Sequence, residues 1–157
     1  MTQSSMPETG IAPYLTVSDG QAAIDFYQRA FGAEVMSQTM DPEGKKVMHA
    51  SLMINGGVVL LSDDFPEMTG GQSHTPQALG GSPVGIHIRT RLDDVDAVWQ
   101  RAVDAGATVT MPLDDQFWGD RYGELDDPFG HHWSIGAQKS TPSEEEMRQA
   151  MRSYSES

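Results

Sequence analysis

The chain has 157 residues, no cysteine and a formal net charge of −13, from 23 acidic and 10 basic side chains. This length is enough for one domain with a sizeable core, and the lack of cysteine excludes disulfides and thiolate catalysis. The negative charge repels a phosphate backbone, so we expect no nucleic-acid partner. No apolar run approaches the ~20 residues that cross a bilayer, and the polar start of the chain does not have the pattern of a signal peptide, so we expect a cytoplasmic protein without a membrane partner.

The first half of the chain predicts the element order β-α-β-β-β. Residues 1–10 are polar with Ser, Thr, Pro and Gly, which predicts a flexible N-terminal arm. A strand at Ile11–Val17 leads into a helix that Ser18 or Asp19 can cap and that Gly32 ends. Three strands follow, at Glu34–Met40, Lys46–Ile54 and Val58–Ser62.

The second half repeats this order after an aperiodic segment. Residues 64–83 are rich in Gly, Pro and small polar side chains, which predicts a mobile linker or lid. The repeated elements are a strand at Val84–Leu92, a helix capped by Asp93 or Asp94 and ended by Gly106, a strand at Thr108–Met111, and a hairpin of Tyr122–Leu125 with His131–Ile135. Residues 139–157 predict a last helix, with acidic residues in its first turn.

Short sequence matches indicate that the two halves are copies of one unit. Val17-Ser18-Asp19 corresponds to Leu92-Asp93-Asp94, and Gly32-Ala33-Glu34-Val35 to Gly106-Ala107-Thr108-Val109, with a period of about 75 residues. A βαβββ unit curls its sheet into half a cup, which a second half must close. We therefore predict an α+β fold over residues 11–138, in which paired βαβββ modules at 11–63 and 84–138 form a cup-shaped mixed sheet.

Two motifs within these modules carry a family resemblance. They are Asp-x-x-x-Ala-Ile-x-Phe-Tyr-x-x-x-Phe-Gly at 19–32 and Asp-Pro-Phe-Gly-His at 127–131. With the paired units, they resemble the vicinal oxygen chelate superfamily of glyoxalases, bleomycin-resistance proteins and extradiol dioxygenases. Met48-His49-Ala50, Leu61-Ser62-Asp63 and the run from Phe117 to Gly123 are similar to its branch labelled 3-demethylubiquinone methyltransferase-like, or PhnB-like.

The resemblance also implies where a metal would bind. In metal-bearing members, four ligands from equivalent strand positions hold a divalent ion that chelates two substrate oxygens. The corresponding positions here are Ala12, Leu60, His87 and Ser134. Only His87 is a usual metal ligand, so we expect neither the usual site nor a metal cofactor. The alternative is a rebuilt divalent-metal site, because strand alternation turns His49 into the cup, towards His87 and Glu124.

Side chains of matching strand parity are candidates for a ligand pocket. Trp118, Tyr122 and Trp133 either wall an aromatic ligand or belong to the core. Arg89 alternates in phase with His87 and favours an anionic ligand, unless it pairs with a nearby Asp. His132 shares parity with Ser134, while His131 points out of the pocket. The complete predicted pocket is His49, Leu60, His87, Arg89, Trp118, Tyr122, His132 and Ser134.

Two functions remain open at the level of sequence. One is a metal-free binding protein that encloses a small aromatic or anionic ligand, and the missing ligand residues favour it. The other is a metal-dependent lyase, isomerase or dioxygenase of the glyoxalase type, in which a pocket base moves a proton. Each half-cup presents an unfinished concave sheet, and relatives complete it across a two-fold axis. We therefore expect a homodimer.

Overall fold

The first module consists of one helix packed on a four-stranded mixed sheet. A computed structural model describes residues 10–157, so the predicted arm lies outside the described residues except for Gly10. The elements are β1 (Tyr14–Val17), α1 (Gly20–Phe31), β2 (Glu34–Met40), β3 (Val47–Ile54) and β4 (Gly57–Asp63). Their order in the sheet is β1-β4-β3-β2, with β1 parallel to β4 and the other pairs antiparallel.

The second module repeats this arrangement. Its elements are β5 (Gly85–Arg89), α3 (Val95–Ala105), β6 (Thr108–Asp115), β7 (Asp120–Asp126) and β8 (His132–Gln138). The sheet order is β5-β8-β7-β6, again with one parallel pair. The predicted α+β fold of two βαβββ modules is thus confirmed. Strands β6 and β7 are longer than predicted. In β6, which is the edge strand, a register shift near Pro112 lets the strand continue past a residue that has no amide hydrogen.

Local signals account for the helix ends. Asp19 is the N-cap of α1 and accepts a hydrogen bond from the Ala22 amide at 3.0 Å. Gly32 and Gly106 end α1 and α3 in the left-handed region, with φ of 66° and 113°. The predicted C-terminal helix is present as α4 (Glu144–Ser155), and Ser143 forms a capping box with Glu146.

The segment between the modules contains short helices that were not predicted. A single 3₁₀ turn at Pro66–Met68 is followed by α2 (Pro76–Leu79), whose N-cap Thr75 accepts from the Ala78 amide. Pro76 is buried against the Asp127–Gly130 turn, where it lies next to Gly130. These helices are too short to give a periodic sequence pattern. The proposed role of this segment as a mobile lid stays a prediction.

A buried carboxylate joins the two modules. Tyr27 of α1 donates its hydroxyl to Asp127 Oδ2 at 2.5 Å, and the Trp133 indole donates to the same oxygen at 2.8 Å. The amides of Phe129 and His131 donate to Oδ1 at 2.9 and 3.0 Å. Burial and the neighbouring Asp127 charge raise the pKa of Tyr27 well above its usual value, so this phenol stays a donor. The Asp-Pro-Phe-Gly turn therefore holds the modules together.

Two arginines make a second connection between the modules. Arg101 of α3 donates to the carbonyls of Gln28 and Arg29 in the last turn of α1, at 3.1 and 2.8 Å. In return, Arg29 donates to the carbonyl of Ala105, the last residue of α3, at 3.2 Å. Each cation thus lies at the negative end of the neighbouring helix, where the free carbonyls of a helix terminus need donors.

We expect Asp127→Ala to lower the free energy of unfolding by about 3–5 kcal/mol, because it removes a buried acceptor and leaves its donors unpaired. Tyr27→Phe deletes only one of the four hydrogen bonds and should cost about 1–2 kcal/mol. The measurement is urea denaturation followed by tryptophan fluorescence and circular dichroism. Asp93→Ala, at an exposed carboxylate, is the control and should stay within about 0.5 kcal/mol of the wild type. A similarly small effect of Asp127→Ala would contradict this role.

Candidate functional site

The open face of the second sheet brings together most of the predicted pocket residues. The His87 and Tyr122 rings stack with centroids 5.7 Å apart and planes inclined by 23°. His87 Nδ1 hydrogen-bonds to Ser134 Oγ at 2.7 Å, and the Tyr122 hydroxyl donates to Glu124 at 3.0 Å. Partial burial, and then the charge of Arg89, lower the pKa of His87 below its usual value, so its imidazole is neutral at pH 7.

Trp118 packs against Tyr122 next to this face. Its indole meets the Tyr122 ring edge to face, with centroids 5.4 Å apart, and donates to Asp120 Oδ2 at 3.2 Å. Clefts of about 340 Å³ and 250 Å³ lie on this face, the first lined by His87 and the second by Tyr122. Trp118 and Tyr122 are both half-buried, so part of each aromatic surface is accessible.

The two adjacent histidines have different roles. His132 lines the smaller cleft, and its Nδ1 lies 2.5 Å from Asp126 Oδ1. The hydrogen bond to Asp126 raises the pKa of His132 above its usual value. His131 lines neither of these two clefts and is buried between the modules, where its Nε2–H donates to the Thr16 carbonyl at 2.9 Å.

The first sheet carries a similar arrangement with the residue types exchanged. Tyr14 and His49 have ring centroids 5.7 Å apart, and the Tyr14 hydroxyl hydrogen-bonds to His49 Nδ1 at 2.9 Å. His49 Nε2 hydrogen-bonds in turn to Ser51 Oγ at 3.2 Å. His49 thus faces the open side of its sheet, as strand alternation predicts, but it lies on a different sheet from His87.

The strand registers correct one of the four ligand positions implied by the resemblance. Tyr14 is paired with Leu60 in the first sheet as His87 is paired with Ser134 in the second. The position equivalent to His87 is therefore Tyr14 and not Ala12. Sequence comparison missed this because the connection from β5 to α3 is longer than the one from β1 to α1.

The residues present do not fit the four-ligand metal site of the superfamily. Of Tyr14, Leu60, His87 and Ser134, only the imidazole is a usual ligand for zinc or a related ion. Within residues 10–157, no group of three or more His, Asp or Glu side chains is placed to hold a metal. The proposed alternative ligands are divided between the sheets, with His49 on the first and His87 and Glu124 on the second. A single chain does not assemble them.

Arg89, the remaining polar candidate, has an exposed side chain on the edge strand β5. None of the ion pairs among residues 10–157 includes its guanidinium, so the predicted alternative of pairing with a nearby Asp is not observed there. Its main-chain carbonyl accepts a hydrogen bond from the Asn55 side chain in the β3–β4 turn. Leu60 is half-buried on the first sheet. Which of these residues contact a ligand stays a prediction.

Comparisons with known proteins agree with the resemblance. The family model of the Glyoxalase/Bleomycin resistance protein/Dioxygenase superfamily matches residues 10–135, and the chain belongs to this superfamily. An uncharacterized protein of Mycobacterium bovis is 51% identical over 146 residues, which cover 93% of this chain and 94% of that protein.

Among residues 10–157, none of the helices has both the length and the apolar character needed to span a membrane.

Solved structures show the same fold. TioX from Micromonospora sp. ML1 is 26% identical, with a TM-score of 0.60, and the match covers 83% of this chain and 98% of TioX. A putative 3-demethylubiquinone-9 3-methyltransferase, the PhnB protein of Bacillus cereus, is 20% identical, with a TM-score of 0.61. That match covers 82% of this chain and 99% of the PhnB protein, and it is a likeness of fold.

The His132–Asp126 pair should make stability depend on pH. The folded-state pKa of His132 is raised, so its contribution is fully present below the unfolded pKa of about 6.5 and is lost as pH rises through the folded value. We expect the difference in unfolding free energy between wild type and Asp126→Asn to be larger at pH 5.5 than at pH 9. An NMR titration should give a lower His132 midpoint in Asp126→Asn. Equal midpoints in the two proteins would contradict the assignment.

Proposed function

We propose that this protein is a metal-free binding protein for a small, flat aromatic ligand. The ligand lies on the open face of the second sheet, against the stacked His87–Tyr122 pair and beside Trp118. The observation that carries the proposal is this pair itself, an accessible aromatic surface at the border of two clefts. Flat ligands bind aromatic side chains in offset-stacked or edge-to-face geometry, and such contacts add to the burial of apolar area.

The charges of this face support an aromatic ligand better than an anionic one. Arg89 contributes one positive charge, but Asp120, Glu124 and Asp126 line the same clefts. His87 adds no charge at neutral pH, because its pKa is lowered. A negatively charged ligand over the centre of this face would meet more carboxylates than cations.

A homodimer would complete the binding site. The open face of each sheet carries exposed or half-buried side chains, including Tyr14 and His49 on the first sheet and Tyr122 and His87 on the second. If the first sheet of one subunit covers the second sheet of its partner, a tyrosine–histidine pair lines each side of the ligand. Both sites of such a dimer are equivalent by its two-fold symmetry.

Light scattering should therefore give a mass of twice the 17.1 kDa of the chain at micromolar concentration. An Arg substitution at Met53, which is half-buried on the open side of β3, should shift the equilibrium towards the monomer. The matched control is Arg at Met151, an exposed methionine of α4. A wild-type monomer would contradict the two-sided site but not the fold.

We expect the neutral fluorescent compound N-phenyl-1-naphthylamine to bind the wild type. Tyr122→Leu should raise its dissociation constant about threefold to tenfold, because one aromatic contact is lost. Tyr154→Leu, at a tyrosine that is 69% exposed on α4, is the control and should leave the constant unchanged. Equal effects of the two substitutions would contradict the proposed location. Stoichiometric zinc or nickel that co-purifies without chelator and is lost in His87→Ala would favour the metal-dependent enzyme instead.

A further inference from the structure

A cavity of about 420 Å³ lies between the two modules, along the edge strand β5, and it shares His87 and Arg89 with the larger cleft. Strand β5 is the edge of the second sheet, and its neighbours across the cavity are the segment before β1 and the turn between β3 and β4. The volume is within the range of small-molecule sites, which is roughly 300–1,000 Å³.

The turn that covers this cavity is held in an uncommon conformation. Asn55 has a φ of 48°, and among residues 10–157 no other residue except glycine has a positive φ. Asn tolerates the left-handed region better than most residues, and Gly56 follows it with a φ of 83°. The Asn55 amide donates to the main-chain carbonyl of Arg89. This hydrogen bond ties the turn of the first module to the end of β5 in the second.

The lining of the cavity is amphipathic. Its apolar part includes Ile54, Val59, Ile86 and Ile88. Among the described residues that line it, Arg89 is the one with a full charge, since His87 is neutral at pH 7. The carboxylates of the open face do not line this cavity. A ligand here meets apolar side chains and, among the described residues, a single charged residue, Arg89.

We propose that this junction cavity binds a small apolar monocarboxylate, with its carboxylate on the Arg89 guanidinium and its hydrocarbon chain on the isoleucine and valine side chains. A guanidinium presents paired N–H donors that match the two oxygens of a carboxylate. The apolar lining favours an aliphatic or aryl chain, because burying it removes apolar surface from water. His87 and Arg89 line both this cavity and the larger cleft, whereas neither Tyr122 nor Trp118 lines the cavity, so a substitution of Tyr122 distinguishes the two sites.

The test uses octanoate and its neutral analogue octanamide as probes of the full-length protein. Calorimetric titration should give a dissociation constant for octanoate at least about tenfold lower than for octanamide, as expected for a charge-assisted pair. Arg89→Gln should remove this preference and leave octanamide binding unchanged. Arg91→Gln, at an exposed arginine two residues along the chain, is the matched control and should preserve it.

Isoleucine methyl NMR locates the probe. Octanoate should shift the methyl signals of Ile54, Ile86 and Ile88, which line the cavity, and spare those of Ile24, which is buried in α1 and does not line it. Tyr122→Leu should leave octanoate binding intact, which separates this site from the aromatic one. Equal affinity for the two probes, no binding of either, equal losses in Arg89→Gln and Arg91→Gln, or shifts confined to Ile24 would each overturn the proposal.

Discussion

The position of one module relative to the other depends on the Asp127 carboxylate. Its four donors come from α1 and from the hairpin that contains Asp127 itself. Removing a charge from water is unfavourable unless each oxygen finds donors, and here both oxygens have two. The aromatic rings of Tyr27 and Trp133, 5.4 Å apart, close around the carboxylate and exclude water. The orientation of the two sheets, and hence of the cavity between them, follows from this contact.

The two modules share the same strand arrangement at the site but differ in which residue type occupies each position. Both modules place a tyrosine and a histidine at matched positions on two strands that are separated by one strand of the sheet, with the same 5.7 Å between ring centroids. In the first module the tyrosine is on the short parallel strand, and in the second the histidine is there. This exchange leaves one histidine of the pair on each sheet, and within residues 10–157 neither sheet groups three side chains that could hold a metal. The two faces resemble each other in shape and aromatic character.

The sequence predicted the features of the fold that depend on neighbouring residues in the chain. The caps at Asp19, Gly32 and Gly106, the strand alternation that exposes His49 and the βαβββ repeat all follow from short-range patterns. The role of Asp127 does not follow from a short-range pattern, because its partner Tyr27 is 100 residues away. The Asp-Pro-Phe-Gly motif alone predicts only a turn. Tyr14 was missed because strand register depends on the length of a connection. The short helices before β5 were missed because neither is long enough to show a helical period.

The crossed arginines have a consequence for how the repeat could be divided. Arg29 and Arg101 each complete the last turn of the other module's helix. In one half of the chain expressed alone, the arginine would have no neighbouring helix end to donate to. The helix of that half would in turn lose the arginine donor at its last carbonyls, which water would have to replace. The two halves are thus chemically incomplete in complementary ways. If the two halves were mixed in solution as separate fragments, these hydrogen bonds would favour their association. The two copies of the repeated unit therefore depend on each other for complete helix ends.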